Sequence, residues 1–307
     1  MVYEKENEAK ANFDDVYTAP TPHAYIATMA RTGYEIGEEA RPYCTAAVEL
    51  LQECNGDVWP VQMLDVGCSY GMGSAFVKYG CSFDEMVAFF ASRVPREYVL
   101  ACEVVRSWLN VTSPACDVRT VGLDSSEPAL KFAVNAGMLD GSIAKNFEDS
   151  ETTPSDDDIG WFRSCNLMIS TGAIGYVTEK SLDVILRHLG QAHPSDTGPF
   201  VVLTILRMFD AEPIHRVFET HGMEFGPAAG IRLPQRRFED EREQEEVLHI
   251  LHRKGLDTRE CEDQGRHYAD LYIGAPTAEQ FADLLECMRN VQGQCDVRAE
   301  PACYIQR

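Results

Sequence analysis

The sequence is short of positive charge. Its 307 residues include 27 Lys and Arg against 49 Asp and Glu, which gives a formal net charge of −22 at pH 7. A protein that binds the phosphates of DNA or RNA usually carries clustered basic residues. The composition therefore argues against a nucleic acid as substrate and leaves a small molecule as the expected partner.

Metal-type cysteine pairs and long apolar runs are also missing. The eleven cysteines are scattered without a CxxC pair or a suitably spaced histidine, so we expect no metal site. No apolar run approaches the roughly 20 residues that cross a bilayer, and we expect no membrane partner. The first residues, MVYEKENEAK, lack the apolar core of a signal peptide. These features predict a cytoplasmic protein. Its oligomeric state stays open, with a homodimer as one alternative.

What the sequence does contain is a regular alternation of short apolar runs and helical patterns. The apolar runs have the length and flanks of buried parallel strands, with one late strand near the end. They occupy residues 61–66, 118–123, 166–170, 199–206 and 268–274. The helical patterns cover 128–136, 180–190, 236–254 and 277–292. This alternation predicts an α/β fold with a doubly wound, Rossmann-like sheet covered by helices on both faces.

The order of these patterns suggests how the chain is organised. Residues 1–60 are predicted to form a helical cap, broken by a proline-rich turn at Ala19–Pro22. Residues 61–307 are predicted to form the main domain. A helical insertion at about 83–110 is expected to follow the first strand–helix unit and to extend one side of the ligand site.

The first motif with chemical content is Leu64–Gly73 (LDVGCSYGMG), where a buried strand runs into glycines. Glycines at such a turn let the backbone approach a ligand, because no Cβ stands in the way. A dinucleotide-binding loop would instead have the spacing GxGxxG for a pyrophosphate. Here Asp65 precedes the glycines in the pattern DxGxxxGxG, which suits a cofactor with a cationic amino-acid end. A purely structural glycine turn is the alternative.

Three further segments follow later strands. Asp124 ends the second strand, where a carboxylate can accept hydrogen bonds from both ribose hydroxyls, although it could instead cap the next helix, as Ser126 also could. Asn146 and Phe147 come where a third strand should end, suited to an adenine amino group and ring. The loop from Ser170 to Val177 is expected to line the reacting face of the cofactor.

Together these segments, between about Val61 and Leu206, resemble the class I S-adenosylmethionine (SAM)-dependent methyltransferase superfamily. The resemblance implies a seven-stranded Rossmann-like sheet and SAM as cofactor. The residues that it assigns to SAM binding are Asp65, Gly67, Cys68, Ser69, Gly71, Asp124, Ser125, Asn146, Phe147, Ser170 and Thr171. Two departures stand out. Ser69 replaces the usual middle glycine, and Asp124 lies much farther from the turn than the usual distance of about 20 residues.

The acceptor side carries weaker signals. Aromatic side chains are suited to a sulfonium, so Tyr17, Tyr25 and Tyr34 are assigned to a substrate pocket, with packing between helices as the alternative. Tyr176 is predicted to act in catalysis by positioning. Arg207, after the fourth apolar strand, is a candidate for binding a substrate carboxylate. Four histidines are candidate bases, and none stands in a diagnostic pattern: His23, His193, His215 and His221.

Methyl transfer to a small metabolite is the leading functional hypothesis. A second reading is transfer or cyclisation of the aminocarboxypropyl group of SAM with release of methylthioadenosine, as in synthases that make azetidine-2-carboxylate. A third is a SAM-binding partner subunit without catalysis. A nicotinamide-dependent oxidoreductase is disfavoured, because the phosphate-binding glycine spacing is absent.

Overall fold

One mixed sheet of seven strands organises the protein. The computed structural model describes residues 3–10, 14–55, 60–112, 114–192 and 197–299. The strands are β1 (Val61–Val66), β2 (Val118–Asp124), β3 (Gly141–Ala144), β4 (Leu167–Ser170), β5 (Phe200–Leu206), β6 (Glu224–Arg237) and β7 (Arg266–Ala275). Their order across the sheet is β3-β2-β1-β4-β5-β7-β6, and β7 runs antiparallel to both of its neighbours. The seven-stranded Rossmann-like sheet is confirmed.

The apolar runs predict five of these strands well, but β6 is missing from the prediction. This strand is 14 residues long, contains Pro227 and Pro234, and shifts register twice against β7. Proline lacks the N–H that a central strand needs, so it is tolerated here because β6 lies at the edge of the sheet. The helix predicted at 236–254 begins too early, because the pattern counts the end of β6 as its first turn. Arg236 and Arg237 belong to β6, and the helix starts at Glu241.

Thirteen α-helices lie within the described part of the chain. They are α1 (Glu4–Glu8), α2 (Asp14–Tyr17), α3 (His23–Thr32), α4 (Ile36–Asn55), α5 (Met72–Tyr79), α6 (Phe83–Ser92), α7 (Tyr98–Val111), α8 (Glu127–Asn135), α9 (Asp156–Ser164), α10 (Glu179–Leu186), α11 (Glu212–Thr220), α12 (Glu241–Arg253) and α13 (Ala278–Ala299). Among the described helices, none is long and apolar enough to span a bilayer.

The N-terminal region divides between two packing units. Helix α4 packs against α5, α13 and strands of the sheet, and its buried side chains Ile36, Tyr43 and Leu51 share one core with the strands. Helix α3 instead contributes Tyr25 and Met29 to a second core. Within the predicted cap at residues 1–60, α4 therefore packs with the sheet and α3 packs with the second core.

The helical insertion predicted at about 83–110 is observed as α6 and α7. Helix α6 begins with a capping box, in which Ser82 and Glu85 satisfy each other's backbone N–H groups. Phe89 of α6 stacks on Trp108 of α7 with ring centroids 4.3 Å apart. The insertion packs against α3 and α8. Its side chains do not line the cavity described below. The insertion therefore packs against the cap and does not extend the ligand site.

Candidate functional site

A cavity of about 390 Å³ lies at the carboxyl ends of the parallel strands. The chain passes from β1 to β2 and β3 on one side of the sheet and then forms β4 and β5 on the other. Beta strands 1 and 4 therefore flank the point where the strand order reverses, which is where doubly wound sheets bind ligands. The volume lies within the range of roughly 300–1,000 Å³ found for small-molecule sites. This cavity is the candidate site.

The glycine turn after β1 forms one wall of the cavity. Gly67 has a φ of +72°, and its N–H donates to the carbonyl of Leu123 at 2.7 Å. A Cβ at this position would clash with the Ala173 methyl group, so only glycine lets the loops after β1 and β4 come this close. Cys68 and Ser69 continue the same wall.

Ser69 adopts a left-handed backbone conformation, with a φ of +49°. A side chain with a Cβ is strained there, which explains why a glycine is usual at this position. Its hydroxyl oxygen is buried, lines the cavity and has no hydrogen-bond partner within the described part of the chain. A buried, unpartnered hydroxyl is costly unless a ligand satisfies it. Ser69 is thus a strained residue with a polar group left for a ligand.

This strain gives a direct prediction for Ser69→Gly. Relief of the left-handed conformation is worth about 1–2 kcal/mol, and the greater freedom of glycine in the unfolded chain offsets about 0.5–1 kcal/mol of it. We expect the free energy of unfolding in urea to rise by up to about 1 kcal/mol. Ser69→Ala removes the hydroxyl and keeps the strain, so it serves as the matched control. A lower free energy of unfolding for the glycine variant would contradict the conclusion that the backbone of Ser69 is strained.

Asp124 fixes this turn from the neighbouring strand. Its Oδ2 accepts from the N–H of Ser69 and its Oδ1 from the N–H of Ser126, both at 2.8 Å. The helix-capping role belongs to Ser126, whose hydroxyl accepts from the N–H of Ala129. Burial raises the pKa of Asp124, and its backbone hydrogen bonds oppose this. The carboxylate lines the cavity next to Ser125, where its remaining lone pairs are available to a ligand.

Asp65 is the second carboxylate in the cavity wall. It is buried, and its Oδ2 accepts from the N–H of Ser74 at 3.1 Å and from its hydroxyl at 2.8 Å. Burial raises the pKa of Asp65 to about 6, the Ser74 hydrogen bonds lower it, and the nearby Asp124 raises it again. Two carboxylates held in one partly apolar cavity create a site that attracts hydroxyl donors and cations.

The segment after β3 forms the next part of the wall. Asn146 lines the cavity, and its Oδ1 accepts from the N–H of Glu148 at 3.1 Å, which leaves further hydrogen-bonding capacity on its amide. Phe147 is buried beside it and contacts Phe162 edge-on. The structure therefore brings the predicted pair Asn146 and Phe147 to the same cavity as Asp65 and Asp124.

The cap closes the cavity with aromatic side chains. Tyr17, Tyr25 and Tyr34 all line it, and the ring centroids of Tyr17 and Tyr25 lie 5.4 Å apart. Burial raises the pKa of Tyr25 and of Tyr34 well above 10, so both stay neutral phenols. Tyr176 lines the cavity from the loop after β4 and is 51% exposed, so it sits at the rim. Thr171 of the same loop also lines it.

Three predicted site residues lie elsewhere. Ser170 is fully buried, and its hydroxyl donates to the carbonyl of Val66 inside the sheet. Gly71 starts α5 and faces the Leu139 and Ala133 side chains. Arg207 forms a buried ion pair with Glu262 at 2.5 Å and donates to the carbonyl of Asp257. None of the three lines the cavity.

Three of the four candidate histidine bases, His23, His215 and His221, do not line the cavity either. His23 contacts the Thr21 hydroxyl and the carbonyl of Val94, and His221 contacts Asp183 at 2.9 Å. His215 packs edge-on to Phe225. His193 lies outside the described residues.

The polar residues of the cavity that sequence reasoning missed include Lys10, Gln235 and Arg236. Gln235 is buried, and its Oε1 has no partner within the described residues. Arg236 forms a buried bidentate ion pair with Glu243 at 2.9 and 2.5 Å. Strand β6 presents both side chains, and because that strand was not predicted, no pattern pointed to them.

Comparisons with known proteins concern the fold. No protein-family model and no curated protein matches the sequence. Among solved structures, a TehB-like SAM-dependent methyltransferase from Corynebacterium glutamicum is 12% identical over 80% of this chain and 92% of that chain, with a TM-score of 0.36. The plantazolicin methyltransferase BamL, in complex with a desmethyl analogue and S-adenosylhomocysteine (SAH), is 12% identical over 90% and 98%, with a TM-score of 0.41. The cyclase SpnF is 13% identical over 76% and 81%, with a TM-score of 0.35.

These similarities are distant and say nothing about a substrate. The strand order itself is the stronger observation, because it provides the seven-stranded Rossmann-like sheet that the sequence motifs implied. This sheet is the one that the resemblance to class I SAM-dependent methyltransferases implied.

Proposed function

We propose that the protein binds SAM in this cavity and transfers its methyl group to a small molecule. The observation that carries the proposal is the meeting of Gly67, Ser69, Asp65 and Asp124 in one cavity wall at the switch point of the sheet. In the sequence, the two aspartates are 59 residues apart.

The residues present fit SAM. Gly67 leaves open a backbone cradle that a Cβ would fill, and the buried Ser69 hydroxyl lacks a partner among the described residues. Asp124 suits the two ribose hydroxyls, since it has unused lone pairs and is held rigid by two backbone N–H groups. Asp65 places a negative charge near the turn for the ammonium group. Asn146 and Phe147 suit an adenine.

When bound, SAM supplies an electrophilic methyl group on a positively charged sulfur. The protein has to hold the acceptor, the methyl carbon and the sulfur in line and exclude water, because nucleophilic displacement at the methyl carbon is accelerated mainly by positioning. The phenols of Tyr17, Tyr25 and Tyr34 and the loop at Thr171 enclose the reacting end. Aromatic faces there stabilise a sulfonium. Tyr176, at the rim, is proposed to position the acceptor.

The titration of Asp65 gives a pH prediction. Because its pKa is raised to about 6, Asp65 is mostly neutral at pH 5 and mostly ionised at pH 7. An ammonium group binds the ionised form better. We therefore expect the affinity for SAH to rise several-fold from pH 5 to pH 7, as measured by isothermal titration calorimetry. Asp65→Asn should flatten this dependence.

Methylthioadenosine is the control ligand for this titration, because it keeps the nucleoside and lacks the ammonium group. Its affinity should change much less between pH 5 and pH 7. An equal pH dependence for the two ligands would place the effect on Asp124 or elsewhere and contradict the role given to Asp65.

The proposed function is tested by incubating the purified protein with SAM alone and identifying nucleoside products by mass spectrometry. We expect SAM to bind and stay intact until an acceptor from a metabolite screen yields SAH. Methylthioadenosine above the spontaneous background would instead show chemistry at the aminocarboxypropyl chain. Tight SAH binding without turnover under any acceptor would favour a binding subunit. Absence of SAM and SAH binding would overturn the proposal altogether.

A further inference from the structure

Strand β6 brings two neighbouring side chains to the cavity. Successive residues of a regular strand point to opposite faces, so one of the two would normally point away. The register of β6 against β7 shifts between Pro234 and Arg237, and within this irregularity Gln235 and Arg236 both line the cavity. Such irregularities redirect side chains and are over-represented next to active sites. The N–H of Glu35 donates to the carbonyl of Gln235 at 2.7 Å and holds the backbone there.

The oxygen of the Gln235 amide has no hydrogen-bond partner within the described part of the chain. The residue is 5% exposed, so water does not replace that partner. The Gln235 Nε2 and the Tyr34 hydroxyl lie beside Gly172, where a Cβ would stand only 3.3 Å and 2.9 Å from them. Gly172 thus leaves room next to both polar groups. A buried acceptor without a donor is costly unless a ligand satisfies it.

The wall of the cavity contributed by α3, by the segment that follows it and by α5 is uncharged. Tyr25 and Met29 of α3, Tyr34 and Phe76 of α5 line it. Burial holds the pKa of Tyr25 and of Tyr34 well above 10, so both phenols remain neutral. This wall suits an apolar or aromatic body.

Most charged side chains of the cavity are matched inside the protein. Three are held by ion pairs or hydrogen bonds, namely Lys145 by Asp158, Glu148 by Thr178 and Ser181, and Arg236 by Glu243. Lys10 also lines a second groove together with the carboxylates of Glu8, Glu239, Asp240, Glu243 and Glu246. Among the described residues, a charged acceptor therefore meets no unmatched counter-charge apart from Asp65 and Asp124, which the proposed function assigns to SAM.

We propose that the acceptor is a neutral molecule with an apolar or aromatic body, and that its hydroxyl or N–H group donates a hydrogen bond to the Oε1 of Gln235. This inference rests on the proposed function and adds the class of substrate to it. The acceptor supplies the donor that the buried amide lacks. A site built around such a hydrogen bond rejects analogues without the donor, because the buried acceptor is then left unpaired. Gln235 is thus a specificity-determining residue.

The test uses the full chain saturated with SAH and probes that are matched in shape. Phenol, indole and 2-naphthol carry a donor, whereas toluene, indene and 2-methylnaphthalene have a carbon in its place. Binding is measured by calorimetry. We expect at least one donor probe to bind about tenfold more tightly than its carbon partner, although the partner is the more hydrophobic molecule. The charged probes benzoate and benzylammonium should bind more weakly than phenol.

Gln235→Met keeps the length of the side chain and removes the amide, so the preference for donor probes should disappear. Without ligand, this variant should be at least as stable in urea as the unchanged protein, because a buried acceptor without a partner is removed. A less stable variant would show a structural role for the amide and overturn the assignment. The matched control is Gln52→Met, since Gln52 donates to the carbonyl of Asp117 outside the cavity. It should keep the donor preference.

SAH is titrated first into every variant. Failure of the unchanged protein to bind SAH would overturn the proposed function itself. Equal affinity of donor probes and their carbon partners, no binding of any donor probe, or tighter binding of a charged probe than of phenol would overturn the acceptor class alone. If Gln235→Met weakens SAH and spares methylthioadenosine, the amide binds the amino-acid end of SAM, and the acceptor class is again overturned.

Discussion

Replacement of Asp124 by alanine is expected to reduce the affinity for SAH by at least 100-fold while the fold is retained. Two hydrogen bonds to an ionised group, each worth about 1.5–3 kcal/mol, would be lost from the ribose. The variant also frees the N–H of Ser69, which Asp124 holds at 2.8 Å. The glycine turn would then be less ordered before the ligand binds. Calorimetry gives the affinity, and circular dichroism reports on the fold.

Two companion variants make this result specific. Asp140→Ala removes another aspartate of the same region, which accepts from the N–H of Thr120 at 2.8 Å and does not line the cavity. It should retain SAH affinity even if its stability falls. Asp124→Asn keeps the shape and removes the charge, so an intermediate affinity is expected. Unchanged affinity in Asp124→Ala would show that the ribose assignment is wrong.

The second large effect concerns stability. Arg207 and Glu262 form an ion pair whose side chains are 3% and 2% exposed. Removal of one partner from a buried pair leaves an uncompensated charge and typically costs about 3–5 kcal/mol. We therefore expect Arg207→Met to lower the free energy of unfolding in urea by this amount. SAH affinity should not change at temperatures where the variant is folded, because Arg207 does not line the cavity.

The double variant Arg207→Met, Glu262→Leu checks the cause. If the loss comes from the stranded Glu262 carboxylate, removal of that carboxylate should restore a large part of the stability. A double variant no more stable than the single one would point to the lost hydrogen bond to the Asp257 carbonyl instead. If the folded Arg207→Met variant binds SAH more weakly, Arg207 contributes to ligand binding after all.

The sequence predicts those parts of the site that depend on a few neighbouring residues. A strand that passes straight into glycines fixes the positions of Gly67 and Ser69, and Asp124 follows because parallel strands bring their carboxyl ends to one edge. The same local reasoning predicts the insertion, since α6 and α7 carry helical apolar spacing. Five strands were found because buried strands are continuous apolar runs.

The sequence does not predict what depends on distant pairing. Strand β6 has prolines and charges, and it is a strand only because β7 lies beside it. Gln235 and Arg236 reach the cavity through that pairing alone. Arg207 looked like a ligand-binding residue after a strand end, but Glu262, 55 residues later, pairs with it. Lys10 comes from a charged segment with no motif, and contacts of Tyr3 and Asn7 help to hold that segment against the cavity.

The second core ties the cap to the insertion. Tyr25 and Met29 of α3 share it with Met86 and Phe90 of α6, and with side chains of α7 and α8. Neither segment buries its apolar face without the other. A chimera that exchanges the cap alone with that of another protein would leave the contacts of Tyr25 and Met29 with α6 mismatched. To exchange the cap by recombination, residues 14–32 and 83–111 would have to be transplanted together.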